Sequence, residues 1–300
     1  HLSLRRQRQM CIRDRSTIVS FAGGDLRGSS TVSRVETSSR GTIVVVDATP
    51  FHPVDHTWPD QPGDTGELSA EGNVVRVAEA VMAAVSDEGQ FAVGADIPVK
   101  RGVEGWTWLV GHPIDGDAPS WLAEGARVEL SVDAPRRAGL SRGHTACHLA
   151  SLALDIALGD LWRKDPGADA LGNPNFEARA NQSSRIHEDG AVDEYRLGKS
   201  LRRAGFDTET FVATLGEREA AINAQLATWV STGAASRVAP EGPAIVDRRS
   251  WHCELPEGDA EILCGGTHVE SLSEFVSISV ALDLTDPQLL VMTTKAVPAV

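Results

Sequence analysis

From Thr42 to Val46 the chain reads Thr-Ile-Val-Val-Val, a continuous β-branched run, which predicts a strand. Asn73–Val81 mixes apolar and polar positions, and Phe91–Val99, Trp106–Val110 and Ala126–Val132 read as further short strands. Pro and Gly punctuate them, as in Gln61-Pro62-Gly63-Asp64 and His112-Pro113-Ile114-Asp115-Gly116. Short strands at this spacing close most naturally into a small β-barrel.

The period changes near Asp133–Arg142. From Gly143 onward Leu149, Leu152, Ala153, Ile156 and Ala157 recur at helical spacing, and Gly159 is the predicted stop. Residues 164–192 are rich in Asp, Asn, Gly and Ser and read as a long loop or insertion. A second helix is predicted from Thr208 to Val230 with Asp207 as its cap. Strands return after Pro243, over Ala244–Asp247, Glu261–Cys264, Phe275–Leu284 and Leu289–Thr294. The expected fold is α+β: a small N-terminal β-barrel over residues 16–138, then a two-layer domain over 139–300 with helices on an antiparallel sheet.

Composition narrows the class. At 300 residues two domains are expected, and 41% hydrophobic with 23% charged residues is ordinary for a globular protein. No apolar run approaches the roughly eighteen residues of a membrane span, and no secretory signal is visible. Four cysteines without a close pair fit a reducing compartment, so a cytoplasmic location is expected and no membrane partner. Residues 1–15 are a special case. Arg5-Arg6-Gln7-Arg8-Gln9-Met10-Cys11-Ile12-Arg13-Asp14 back-translates onto a transposase-type sequencing adapter, so this stretch is excluded from fold reasoning. It holds five Arg and one Asp, which leaves the remainder at −18 against −14 for the whole chain. So acidic a body is a poor general nucleic-acid binder, because phosphate affinity comes largely from Lys and Arg. Recognition of RNA then needs a local patch, for which Arg136, Arg137 and Arg142, or Lys199, Arg202 and Arg203, are the candidates.

The candidate chemistry is split between two distant segments. His144-Thr145-Ala146-Cys147-His148 sets two imidazoles four residues apart on one helix face, about 5–6 Å between Cβ atoms. Both can then reach one zinc ion at about 2.0–2.1 Å. Cys264-Gly265-Gly266-Thr267-His268 offers a thiolate and a third imidazole around a Gly-Gly turn that lets backbone fold closely. Either motif alone is weak; together they form a donor set suited to zinc. Three His and one Cys lean towards a catalytic ion, which lowers the pKa of bound water to about 7. His52-Pro53-Val54-Asp55-His56 has the same spacing, but its Pro disfavours a helix, so His52 and His56 read as surface or pocket-lining residues. Cys147 points about 100° away from its neighbours and is expected to fill core, while His112, His187 and His252 read as ordinary. No nucleophile elbow and no Walker loop is present.

Arg142-Gly143-His144-Thr145-Ala146-Cys147-His148-Leu149 and Cys264-Gly265-Gly266-Thr267-His268-Val269 resemble the paired motifs of alanyl-tRNA editing proteins, the free-standing relatives of the editing domain of alanyl-tRNA synthetase. Upstream, Asp47-Ala48-Thr49-Pro50-Phe51-His52-Pro53 and Gln61-Pro62-Gly63-Asp64-Thr65-Gly66 are similar to that family's barrel signature. The resemblance runs from about residue 40 to 280. It implies zinc held by His144, His148, Cys264 and His268, with Gln61 and Thr49 as candidate catalytic-pocket residues. It also implies hydrolysis of the ester that joins serine or glycine to alanine tRNA, with the tRNA acceptor end as partner; no protein partner is inferred. Two departures stand out: Val54-Asp55-His56-Thr57-Trp58-Pro59-Asp60 is bulkier than the Gly-rich loop usual before Gln61, and the stretch across 160–200 is long. The same residues leave two alternatives open, a zinc hydrolase of a small acylated metabolite and a non-enzymatic, zinc-stabilised binding domain.

Overall fold

The computed structural model describes residues 15–299, so the adapter-like segment lies outside the described residues apart from Arg15. The chain divides into two compact units, one formed by the residues up to Arg137 with Pro240–Arg249, the other by Ala138–Ala239 with Ser250 onward.

The first unit is built on β1 (Ile18–Val19), β2 (Arg27–Ser38), β3 (Gly41–Val46), β4 (Ala48–Thr49), β5 (Gly66–Ala70), β6 (Asn73–Val77), β7 (Val81–Ser86), β8 (Phe91–Val93), β9 (Trp106–Ile114) and β10 (Arg127–Val132). The order β3-β2-β10-β5-β6-β9 closes on itself through β3–β9 pairing, an antiparallel barrel of six strands with β7 and β8 continuing from β9. The β-branched run is a strand, as expected, and the structure covers both of its faces. Val44 and Val46 point into the main barrel core, while Ile43 and Val45 join a smaller cluster with Val81, Ala83 and Leu109 on the other face. Two barrel strands escape sequence reading: β2, whose polar Arg-Gly-Ser-Ser start hides its period, and β5, which alternates only weakly.

In the second unit, β11 (Asn181–His187), β12 (Gly190–Arg196), β13 (Ser236–Pro240), β14 (Arg249–Leu255), β15 (Gly258–Leu263), β16 (Phe275–Asp286) and β17 (Leu289–Pro298) form two sheets. Their orders are β11-β12-β17-β16, antiparallel throughout, and β13-β14-β15. The helices are α1 (Ala134–Leu158), α2 (Glu177–Ala180), α3 (Lys199–Ala204), α4 (Thr208–Ala213) and α5 (Leu215–Thr232). Along the edge strand β16, Asn223 of α5 accepts from Val280 N at 2.8 Å and donates to Val280 O at 3.0 Å, so the helix supplies partners the sheet cannot. None of the described helices is long and apolar enough to cross a membrane.

Several local expectations need correction. Helix α1 begins nine residues before Gly143: Asp133 caps it by accepting from Arg136 N at 3.1 Å, and Pro135 sits in the first turn, where it costs no hydrogen bond. The stretch 164–192 is not all loop, since β11 enters from Asn181 and turns at Glu188-Asp189, with Asp189 at φ 58°. The long second helix is two, broken at Thr214, whose hydroxyl donates to the Thr210 carbonyl at 2.8 Å; Asp207 does cap the first by accepting from Thr210 N. Ala244–Asp247 is a turn closed by Asp247 N on Ala244 O at 3.0 Å, and the strands flank it as β13 and β14.

Candidate metal centre

The two motifs meet. Within the second unit the ligand-type atoms of His144, His148, Cys264 and His268 all lie within 4.8 Å of one another, the one such group among the described residues. Cys264 Sγ is 3.4 Å from His144 Nε2 and 3.2 Å from His268 Nε2. A tetrahedron with zinc–sulfur bonds of ~2.3 Å and zinc–nitrogen bonds of ~2.0 Å has sulfur–nitrogen edges of about 3.5 Å, so the spacing fits such an ion. His148 Nε2 adds a second sign. It is buried with no hydrogen-bond partner, an arrangement a neutral imidazole accepts readily when a cation takes its lone pair. Burial also pushes the His148 imidazole down to about 4, favouring the neutral, ligating form.

Neighbouring rings hold this arrangement. His148 stacks on Trp251 of β14 with centroids 5.1 Å apart, and Trp251 also lies 5.5 Å from the His268 ring. Trp251 is fully buried and anchored by donating from Nε1 to Ser236 Oγ at 2.9 Å. The loop after β15 is tied to α1 by hydroxyls. Ser141 donates to Thr267 Oγ1 at 2.9 Å, and Thr145 Oγ1 accepts from Val269 N at 3.1 Å. Gly266 N donates to Cys264 Sγ at 3.4 Å.

Helix α1 reaches this position because it carries two glycines on one side. A Cβ at Gly143 would lie 2.2 Å from His187 O and 2.7 Å from Gly190 O, so a side chain there would drive the helix off the β11–β12 hairpin. On the face turned towards that hairpin, Cys147 packs with Ile186 and Ala191 and donates to Asp193 Oδ1 at 3.4 Å, which agrees with its expected core role.

The two pocket candidates, Thr49 and Gln61, lie in the first unit. Thr49 is buried; its hydroxyl meets His112 Nε2 at 2.9 Å and accepts from Phe51 N at 3.1 Å. His112 Nδ1 donates to Val44 O at 3.0 Å, so its Nε2 is the acceptor for the Thr49 proton, and His112 is a fully buried group. Gln61 is buried, in the stretch that Asp64 pins by accepting from His52 N at 2.5 Å. His52 and His56 are not at the surface: His52 packs edge-on against Phe21, and His56 bonds to Val99 O at 3.0 Å. Two of the basic candidates are also engaged. Arg137 is buried against Asp64, and Arg142 donates to Asp189 Oδ1 at 2.5 Å. Sequence reasoning passed over Ser141, Thr145 and Trp251. The first two had a signal, because Ser141, His144, Thr145 and His148 recur at i, i+3, i+4, i+7 and so form a polar stripe along one side of the helix.

No family model matches the chain. Among curated proteins it is similar to alanine–tRNA ligases. The Anaeromyxobacter dehalogenans enzyme is 30% identical over 239 residues, 79% of this chain, and that of Thermofilum pendens 29% over 260 residues, 80% of this chain. A shorter match to the Methanopyrus kandleri enzyme reaches 45% identity over 69 residues, 23% of this chain. The chain spans only about a fifth of the length of the ligases it matches, 21% and 22% for the first two.

Proposed function

We propose that this chain, which is similar over about four-fifths of its length to a segment of the alanine–tRNA ligases, is a zinc-dependent hydrolase that removes serine or glycine from mischarged alanine tRNA. The observation that carries the reading is the convergence of three imidazoles and one thiol, with one buried imidazole nitrogen left without a partner. When bound, zinc in such a set supplies Lewis acidity and lowers the pKa of a water molecule to about 7, enough to attack an ester carbonyl without a side-chain nucleophile.

The chain's own residues do the rest. His144 and His148 are fixed on one helix face and Cys264 and His268 on one loop, so the donor set is assembled before substrate arrives. The resemblance assigns Gln61 and Thr49 to substrate handling. Gln61 brings a carboxamide that both donates and accepts, suited to an amino acid's ammonium and carbonyl groups. Thr49 gives its proton to His112, so in this reading it acts through its remaining lone pair and not as an acid.

A second reading has one observation in its favour. The group offers four protein donors, which would fill a tetrahedral ion, as structural sites in non-enzymatic domains do. One experiment separates the two. The purified protein is analysed for metal and incubated with alanine tRNA charged with serine, with glycine or with alanine. Release of serine or glycine that a chelator and His148→Ala both abolish is the expected result. Stoichiometric zinc with no deacylation would favour the structural reading; deacylation that survives both treatments would overturn the metal mechanism.

A further inference from the structure

Around the donor set, one hydroxyl is fully committed. Thr145 Oγ1 lies 2.9 Å from Ser141 O, 3.1 Å from Val269 N and 3.1 Å from His268 Nδ1. A hydroxyl has one proton and two lone pairs. A carbonyl oxygen can only accept, so the Thr145 proton goes to Ser141 O. A backbone N–H can only donate, so Val269 takes one lone pair. The contact that is left, to His268 Nδ1, has a single solution: the ring donates and Thr145 accepts. The alternative, Thr145 donating to His268, would set two bare oxygens against each other at the Ser141 carbonyl.

We infer that Thr145 is a positioning residue, whose hydroxyl holds His268 as the Nδ1–H tautomer and turns its Nε2 lone pair towards the metal. The inference deepens the proposed metal centre and rests on it for the ligand, but the tautomer itself is a property of the protein alone. His268 Nε2 is the nitrogen that faces Cys264 Sγ at 3.2 Å, so the selected tautomer presents its lone pair on the side where the other donors gather. Ligating imidazoles usually give their other N–H to a fixed acceptor, and loss of that acceptor weakens metal affinity about 10–100-fold. Here the acceptor comes from the helix that carries His144 and His148, so one residue ties the third imidazole to the first two. Thr145 is completely buried, and no solvent competes for the bond.

The test compares Thr145→Val, which keeps the shape but not the hydroxyl, with Thr145→Ser, which keeps the hydroxyl. Two readouts are taken on full-length, folded protein. The first is the tautomer of His268 in the metal-free form at pH 8, from 15N chemical shifts and two-bond couplings. The second is zinc affinity by competition with a chromogenic chelator. The expected result is Nδ1–H in the wild type and the Ser variant, loss of that preference in the Val variant, and zinc bound 10–100-fold more weakly by the Val variant alone. An Nε2–H tautomer in the wild type, or a Val variant with unchanged tautomer and zinc affinity within twofold of wild type, would overturn the inference. Absence of zinc binding by the wild type would overturn the metal centre instead, and the tautomer measurement would still decide what Thr145 does to the ring. If the Val variant does not fold, the tautomers of the wild type and the Ser variant decide the question.

Discussion

Arg137 stands next to the metal-binding part of α1 in sequence, where a phosphate contact is the natural guess, and its surroundings argue for a different role. Its Nε donates to Asp64 Oδ1 at 2.8 Å, its Nη2 donates to Asp64 Oδ2 and, at 2.7 Å, to Pro50 O, and the two residues are 5% and 1% exposed. A buried, bidentate pair of this kind is costly to break from one side, because the partner charge stays behind without compensation. Arg137→Ala would leave the Asp64 carboxylate with the His52 backbone donor and strip Pro50 O of this bond. The expected loss is about 3–5 kcal/mol. With m near 2 kcal/mol/M, the urea midpoint of the barrel unit falls by about 2 M. Tryptophan fluorescence reports on it, since Trp108 sits in the barrel core. The double replacement Asp64→Asn with Arg137→Met should recover most of the loss, because neither buried charge remains. A single variant within about 1 kcal/mol of wild type would refute the structural assignment. So would a variant of normal stability whose tRNA affinity has a shallower dependence on salt, the signature of a lost phosphate contact.

Two further outcomes are expected. Gly143→Ala sets a methyl 2.2 Å from His187 O, so it should cost about 1–3 kcal/mol or more and lower zinc content together with thermal stability, whereas Gly139→Ala, facing mainly the Glu188 side chain at 3.0 Å, should be milder. Equal effects of the two in thermal unfolding and elemental analysis would show that helix–hairpin approach is not the constraint. Burial lowers His112 to about 4, below its ordinary value near 6.5. Between these values the unfolded chain takes up a proton that the folded barrel refuses, so stability is full above pH 6.5 and falls as pH falls towards 4. Urea midpoints at pH 7.5 and 5.0 should differ less for His112→Asn than for wild type; an unchanged difference would remove His112 as the cause.

How much of this was legible in the sequence depends on whether the informative residues were local. The β-branched run, the Asp207 cap and the two metal motifs all carry their meaning within a few residues, and each is found where its pattern placed it. The start of α1 was not. Gly139 and Gly143 look like helix breakers in a one-dimensional reading, but their lack of a Cβ is what allows the helix to lie on the hairpin, and only the packed structure reveals that partner. The β11 strand was missed for the opposite reason. Asn-Gln-Ser-Ser-Arg-Ile-His has almost no apolar content, which an edge strand with one open face does not need, and the useful cue was the Asp189-Gly190 pair beside the turn.

The return of Pro240–Arg249 to the first unit is the clearest case of information that no window contains. Its residues show no strand or helix period. They are held by Ile245 N on Thr17 O at 2.9 Å, by Val19 N on Pro243 O at 2.8 Å, and by the Arg249 guanidinium over the Phe21 ring at 5.1 Å. Each of these contacts joins positions more than two hundred residues apart, so no local pattern announces them and each carries a loop-closure cost. The metal motifs differ in kind. They too are far apart, and each half alone is weak, as His52 and His56 at the same spacing show, but together they offer three imidazoles and a thiol, a set with few uses other than holding a cation. Residue type, more than distance along the chain, decides what a sequence discloses. Backbone hydrogen bonds and an Arg on a Phe are made by residues found everywhere, whereas a donor set for a cation draws on the few side chains that can supply one.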